Sequence, residues 1–179
     1  MEEELREEIK RDCIGLLRAA GCDEGVINHC TAVAELALEI AQHQHNDMVD
    51  EALVLRGALL HDLGRARSHG IDHGLVGGEL ARELGLDERL VRIIQRHVGA
   101  GITAEEAKEL GLPPVNFVPE TMEEKIVAHA DNLIEDQKRT SIEAELSNVK
   151  AKLGESHPSI KRLIALHKEV LGQKERNVE

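Results

Sequence analysis

Apolar residues recur along this chain every three to four positions, the period of helices that bury one face. Leu5, Ile9, Leu16 and Leu17 line one side of a charged segment at 2–19, and Gly21 stands where that helix should stop. Val33, Leu36, Ala37 and Ile40 form the stripe of a helix over 26–43, and Ala52, Leu55, Ala58 and Leu59 that of one over 50–61. His73 to Leu84 reads as a short helix ended by Gly85, and Asp87 as the N-cap of a helix reaching His97. Thr103 with Glu106 is a capping-box signature, opening a short helix that ends at Gly111. Thr121 with Glu124 repeats it, before a helix through Asp131 to Lys138. Pro113, Pro114 and Pro119 make 112–120 a loop. Two more amphipathic segments, 141–152 and 159–172, are separated by Gly154 and Pro158. No stretch alternates at period two. The pattern predicts an all-α fold of about eight helices in a single domain, 1–179, whose core is 26–138 with 2–19 and 141–172 packed on it.

Composition agrees with that architecture. The chain has one Phe, no Trp and no Tyr, so its core must be built from Leu, Ile, Val and Ala. A formal net charge of −12 disfavours a partner that must be held through many phosphates, so nucleic acid is an unlikely one. The missing aromatics remove the usual platforms for stacked bases. Three cysteines, Cys13, Cys22 and Cys30, are odd in number and not spaced as CxxC, which indicates neither a disulfide framework nor a zinc knuckle. The opening MEEELREEIKRD is charged from its start, unlike a signal peptide, and no apolar run approaches the ~20 residues of a membrane span. The expected location is the cytoplasm, with no membrane partner.

Ten histidines change the picture. One histidine in a helix is ordinarily a satisfied core or surface residue, and His43, His45, His157 and His167 have only that reading. Others share the inward stripes. His29 lies in line with Val33 and Ile40; His61 and Asp62 end the apolar run ALVLRGALL; His73 shares a face with Gly77 and Leu80. His97 shares a face with Ile93 and Ile94, and Asp131 with Val127 and Ile134. Burying imidazoles and carboxylates together is costly unless something pairs with them. One or two divalent transition metals (Fe, Mn, Co, Ni or Zn) would account for the whole set, with two metals favoured and Asp62 as a bridge.

The segments HCTAVAELA, LLHDLGRA, HGLVGGELA, IIQRHVGAG and EEKIVAHADNLI resemble, in this order, the motifs of HD-superfamily phosphohydrolases, HDLG being similar to the HDIG form. The resemblance implies an HD-type helical bundle with His29, His61, Asp62 and Asp131 holding one metal. His73, in H-x-x-x-G with Gly77, and His97 correspond to the second-metal ligands of dinuclear members; His69, one turn earlier, competes with His73. The sequence departs from the family in having Val98 where many members have a second histidine, in lacking the HD-GYP signature, and in carrying Arg65 where the family has Lys. The nearest resemblance is to symmetrical dinucleoside tetraphosphate hydrolases and to the HD domain of ribonuclease Y.

What this implies is a phosphohydrolase acting through metal-activated water on a phosphate ester or anhydride of a nucleotide-like small molecule. Asp62 and His61 are its expected catalytic pair. Arg65 and Arg96 are candidates for holding substrate phosphate by forked hydrogen bonds. The segment 112–120 is a candidate pocket wall. A non-catalytic module sensing a nucleotide or metal, or a ribonuclease, would use the same residues. Segments 2–19 and 141–172 could also pack against a second copy in a homo-oligomer.

Overall fold

A helix that is apolar around most of its circumference belongs in the middle of a bundle. That helix is α3 (Glu51–Leu60), in which Leu53, Val54, Leu55, Gly57, Ala58, Leu59 and Leu60 are all buried. In the computed structural model, which describes residues 1–44, 49–135 and 137–172, α3 packs against four others. These are α1 (Glu3–Ala20), α2 (Glu24–Gln42), α5 (Glu88–Arg96) and α7 (Met122–Asn132). Beside them lie a 3₁₀ turn (Leu63–Ala66), α4 (His73–Glu83), α6 (Ala104–Glu109), α8 (Ile142–Leu153) and α9 (Pro158–Val170). Nine α-helices among the described residues compare with the eight or so expected. The core is aliphatic, and Phe117 sits apart from it in a small cluster with Ile102 and Ala107.

Polar residues at the helix starts do what their types predict. Asp23 accepts from the Val26 amide and Asp50 from the Leu53 amide. The Thr103–Glu106 capping box is complete. At Thr121 only half of the box forms, because the Glu124 carboxylate reaches the Glu120 amide and Arg96 instead. Gly21 ends α1 at φ 99°, a left-handed conformation that suits glycine.

The expected helix through Lys138 is a correction. It stops at Asn132, and Ile134–Glu135 pairs antiparallel with Lys138–Arg139 in a two-strand hairpin. Gln137 sits in the turn at φ 64°, which a right-handed helix cannot contain. The Asn132 side chain also takes the Ala128 carbonyl and the Gly99 carbonyl, tying the end of α7 to the loop after α5.

Two glycines set how closely elements meet at one end of α3. A Cβ on Gly64 would lie 1.9 Å from the His73 carbonyl oxygen and 2.6 Å from the Gly77 amide. The 3₁₀ turn and α4 therefore touch backbone to backbone, which carries His73 in beside Asp62.

Candidate metal centre

Each residue of the cluster sits at or near a helix end. His61 is the C-cap of α3 and His97 the C-cap of α5, while His73 is the first residue of α4. His29 lies in the second turn of α2 and Asp131 in the last turn of α7. Helix C-termini leave carbonyls without partners, and these histidines use them. His61 Nδ1 donates to the Ala58 carbonyl (2.7 Å) and His97 Nδ1 to the Ile94 carbonyl (2.7 Å). His73 Nδ1 donates to the Gly70 carbonyl at 2.8 Å. A carbonyl only accepts, so the proton of each neutral ring is on Nδ1 and each Nε2 presents a lone pair.

Those lone pairs converge on carboxylates. His73 Nε2 lies 3.0 Å from His97 Nε2, and Asp62 Oδ1 is 3.3 Å from the first and 3.6 Å from the second. His61 Nε2, buried and without a hydrogen-bond partner, is 3.4 Å from Asp131 Oδ1 and 3.7 Å from Asp62 Oδ2. His29 Nε2 meets Asp131 Oδ1 at 2.9 Å. Acceptors facing acceptors in a dry site repel one another, and a cation reverses the sign. The ligand atoms group within 4.8 Å as His29–His61–Asp62, as His61–His97–Asp131 and as Asp62–His73–His97. The donor set fits one or two divalent transition metals, with Asp62 common to two groups.

The protonation preferences separate the histidines: His73 is held neutral, whereas His61 between two carboxylates holds an Nε2 proton that a metal would displace. Burial raises the carboxyls of Asp62 and Asp131, but the His61 imidazole beside them holds both well below the usual carboxylate range. Burial opposes charge on His61, yet Cys30, Asp131 and Asp62 lift it well above an ordinary histidine. Burial and the neighbouring His97 push His73 down to about 4, so it is neutral and able to ligate at pH 7. The C-terminal ends of α3 and α5 add partial negative charge on the same spot.

The structure thus brings together His29, His61, Asp62, His73, His97 and Asp131. His69 is exposed and meets Arg65 only through its backbone carbonyl. Arg65 borders the cluster: its Nε donates to Asp62 Oδ1 at 3.1 Å, and its side chain is 27% exposed. Arg96 points elsewhere, paired at 2.9 Å with both Glu124 and Glu120. Glu124 is itself buried, so this ion pair pins the start of α7 to α5. In the segment 112–120, Leu112 and Phe117 line a small cleft with Ile71, Gly74 and Val98, and Phe117 is buried with its backbone paired to Ile102. His43 and His157 stand outside the cluster; His45 lies outside the described residues. Sequence reading passed over His129, wholly buried against His167 with neither ring nitrogen bonded, and Asn132 beside Asp131. Unequal burial of polar residues on α7 is not visible in a periodic pattern. The three cysteines are free and buried, and burial pushes the Cys13 and Cys22 thiols up to about 11.

Comparison with known proteins follows the same line. The HD domain family model matches residues 26–136. An uncharacterized protein of Methanocaldococcus jannaschii is 56% identical over 151 residues, 83% of this chain and 89% of its own length. A Thermoplasma volcanium protein named tRNA (cytidine(56)-2'-O)-methyltransferase is 45% identical over 92% of this chain and 48% of its own length. The chain therefore spans about half of that relative. Ribonuclease Y of Acidothermus cellulolyticus is 43% identical over 76 residues, 41% of this chain and 15% of its own. Among solved structures, the Listeria monocytogenes phosphodiesterase PgpH HD domain in complex with cyclic-di-AMP superposes with a TM-score of 0.54 at 16% identity. The match covers 91% of this chain and 98% of that one.

Proposed function

The chain belongs to the HD domain family, and from that premise we propose that it is a metal-dependent phosphohydrolase of a nucleotide-like small molecule. The observation that carries this reading is the convergence of three Nε2 atoms, those of His61, His73 and His97, on Asp62 and Asp131. His29, His61, Asp62 and Asp131 would hold one metal, and Asp62, His73 and His97 the other. When bound, such ions activate water for attack on phosphorus and neutralise the phosphate oxygens. The residues themselves do the positioning. Asp62 is fixed by Arg65 Nε, and His61, His73 and His97 each by a carbonyl, so their Nε2 atoms are aimed before any ligand arrives. Arg65 keeps further N–H donors at the site's edge, suited to a phosphate oxygen.

Phosphomonoesters, phosphodiesters and dinucleoside polyphosphates should be screened with Mn, Fe, Co, Ni and Zn in turn. Hydrolysis that disappears in Asp62→Ala is the expected result. Full metal occupancy with no hydrolysis of any of these would replace the enzyme with a metal- or nucleotide-sensing module. A second reading, an RNA phosphodiester as substrate, is favoured by the names of two relatives, the tRNA methyltransferase and ribonuclease Y. Including tRNA and short oligoribonucleotides in the screen separates it from the first.

A further inference from the structure

A cavity of about 250 Å³ opens beside the metal centre, between the loop after α5 and the two C-terminal helices. It is lined by sequence neighbours of three of the six clustered residues and by none of the six themselves: Ile71 lies two residues before His73, Val98 follows His97, and Asn132 follows Asp131. The opposite wall is Val149 and Leu153 of α8 with Leu163 of α9, beyond the stretch that matches the HD family. Three of the exposed large apolar side chains, Ile71, Leu110 and Leu153, ring this one opening. An apolar patch gathered at a cleft marks a binding surface.

We propose that this cavity receives the base of a nucleotide whose phosphate lies at the metals, so that α8 and α9 set the substrate's organic group. The proposal rests on the phosphohydrolase reading of the centre and extends it. Four features select a single neutral heterocycle. The volume is below the ~300–1,000 Å³ of pockets that enclose a whole drug-sized molecule, so one ring system with part of its sugar fits and a dinucleotide does not. Glu109 on the lining disfavours an anionic group there, leaving the phosphate to the metals. The aliphatic walls suit the flat faces of a ring. The polar atoms suit its edge: Asn132 uses both N–H groups on carbonyls, leaving Oδ1 to accept. His157 Nδ1 accepts from the Ser159 amide, which puts the ring proton on Nε2 to donate. Arg162 Nε is buried without a partner, although its Nη2 is bound to Glu106 and the Gly101 carbonyl.

The test uses nucleosides, which carry no phosphate and require no metal, so its outcome is independent of whether the protein hydrolyses anything. Adenosine, guanosine, cytidine and uridine are titrated against the full chain, with ribose as control, and followed by amide chemical shifts. At least one nucleoside should bind saturably where ribose does not, moving the signals of Gly99, Gly101 and Asn132. Leu153→Glu and Leu110→Glu, on exposed positions of opposite walls, should each weaken that binding about tenfold or more while melting temperature and metal content hold. No nucleoside binding above ribose overturns the proposal, and so does binding that both variants leave intact. If the two variants instead dissociate a dimer and no nucleoside binds, the patch is an interface between copies and the proposal fails.

Discussion

His73 and His97 face each other Nε2 to Nε2 at 3.0 Å, each with its Nδ1 proton already given to a carbonyl three residues back. Two neutral rings in that arrangement have no hydrogen to share. A cation between them resolves the conflict, with Asp62 Oδ1 supplying charge.

Metal content should follow the two groups. His97→Ala is expected to lose one of two bound ions and Asp62→Ala both, read by elemental analysis after purification in metal-supplemented medium. Because protons compete for the same Nε2 atoms and carboxylates, occupancy should fall as pH is lowered. Disturbing such ligands costs 10–100-fold in affinity even when only a supporting partner is removed, so a loss of at least about that size is expected. Unchanged occupancy in both variants would remove the metal centre.

Gly64→Ala should be far more damaging than its one methyl suggests. The new Cβ would overlap the His73 carbonyl and the Gly77 amide, neither of which is the movable end of a side chain. Forcing these elements apart should cost about 3 kcal/mol or more and displace His73, lowering both melting temperature and second-metal affinity. Gly15→Ala, within α1 and with nothing within 4 Å of the added atom, should instead stabilise by about 0.5–1 kcal/mol. Equal melting temperatures for the two variants would contradict this account.

Arg96→Ala and Arg65→Ala should differ in kind. Removing Arg96 leaves the buried Glu124 carboxylate with the Glu120 amide and the more distant Arg92, so a loss of about 2 kcal/mol in denaturant unfolding is expected. Removing Arg65 frees one Asp62 oxygen at the rim of the site, so the effect should be on KM for a phosphate substrate with little change in stability. A KM effect confined to Arg96→Ala would reverse the assignment.

His129 should make the fold sensitive to acid. Burial, with His167 nearby, depresses its pKa to about 4, against 6.5 when unfolded. The unfolded chain therefore binds more protons between those values. The stability from this residue is complete above about 6.5 and is lost as pH falls toward 4, on the order of 3 kcal/mol in all. His129→Leu should flatten the pH dependence of unfolding in that window and raise the melting temperature at pH 5. His73, also near 4, will keep part of the slope. A variant whose pH profile overlays the parent's would rule out this role.

Much of the fold was legible in the linear pattern because burial of a helix face depends on residues three and four apart. The stripe of α2, the apolar run of α3, broken by Arg56, and the caps at Asp23, Asp50 and Thr103 are local facts. The residues of the candidate centre were legible for a related reason: His29, His61, Asp62, His73, His97 and Asp131 interrupt apolar stripes where an unpaired polar group would be penalised. The end of α7 was not legible, since the pull of Asn132 toward Gly99 comes from a segment far along the chain. Nor was the division of the arginines, because Arg65 and Arg96 both flank ligand residues and only packing sends one to Asp62 and the other to Glu124. The same holds for the loop at 112–120, whose Phe117 turns inward, and for α8 and α9, which close a cavity against the loop after His97. Sequence alone determined the helices and the chemistry they carry, because both rest on local spacing. Which lone pairs meet, and what space is left beside them, only the tertiary structure decided, because both depend on the close approach of distant segments.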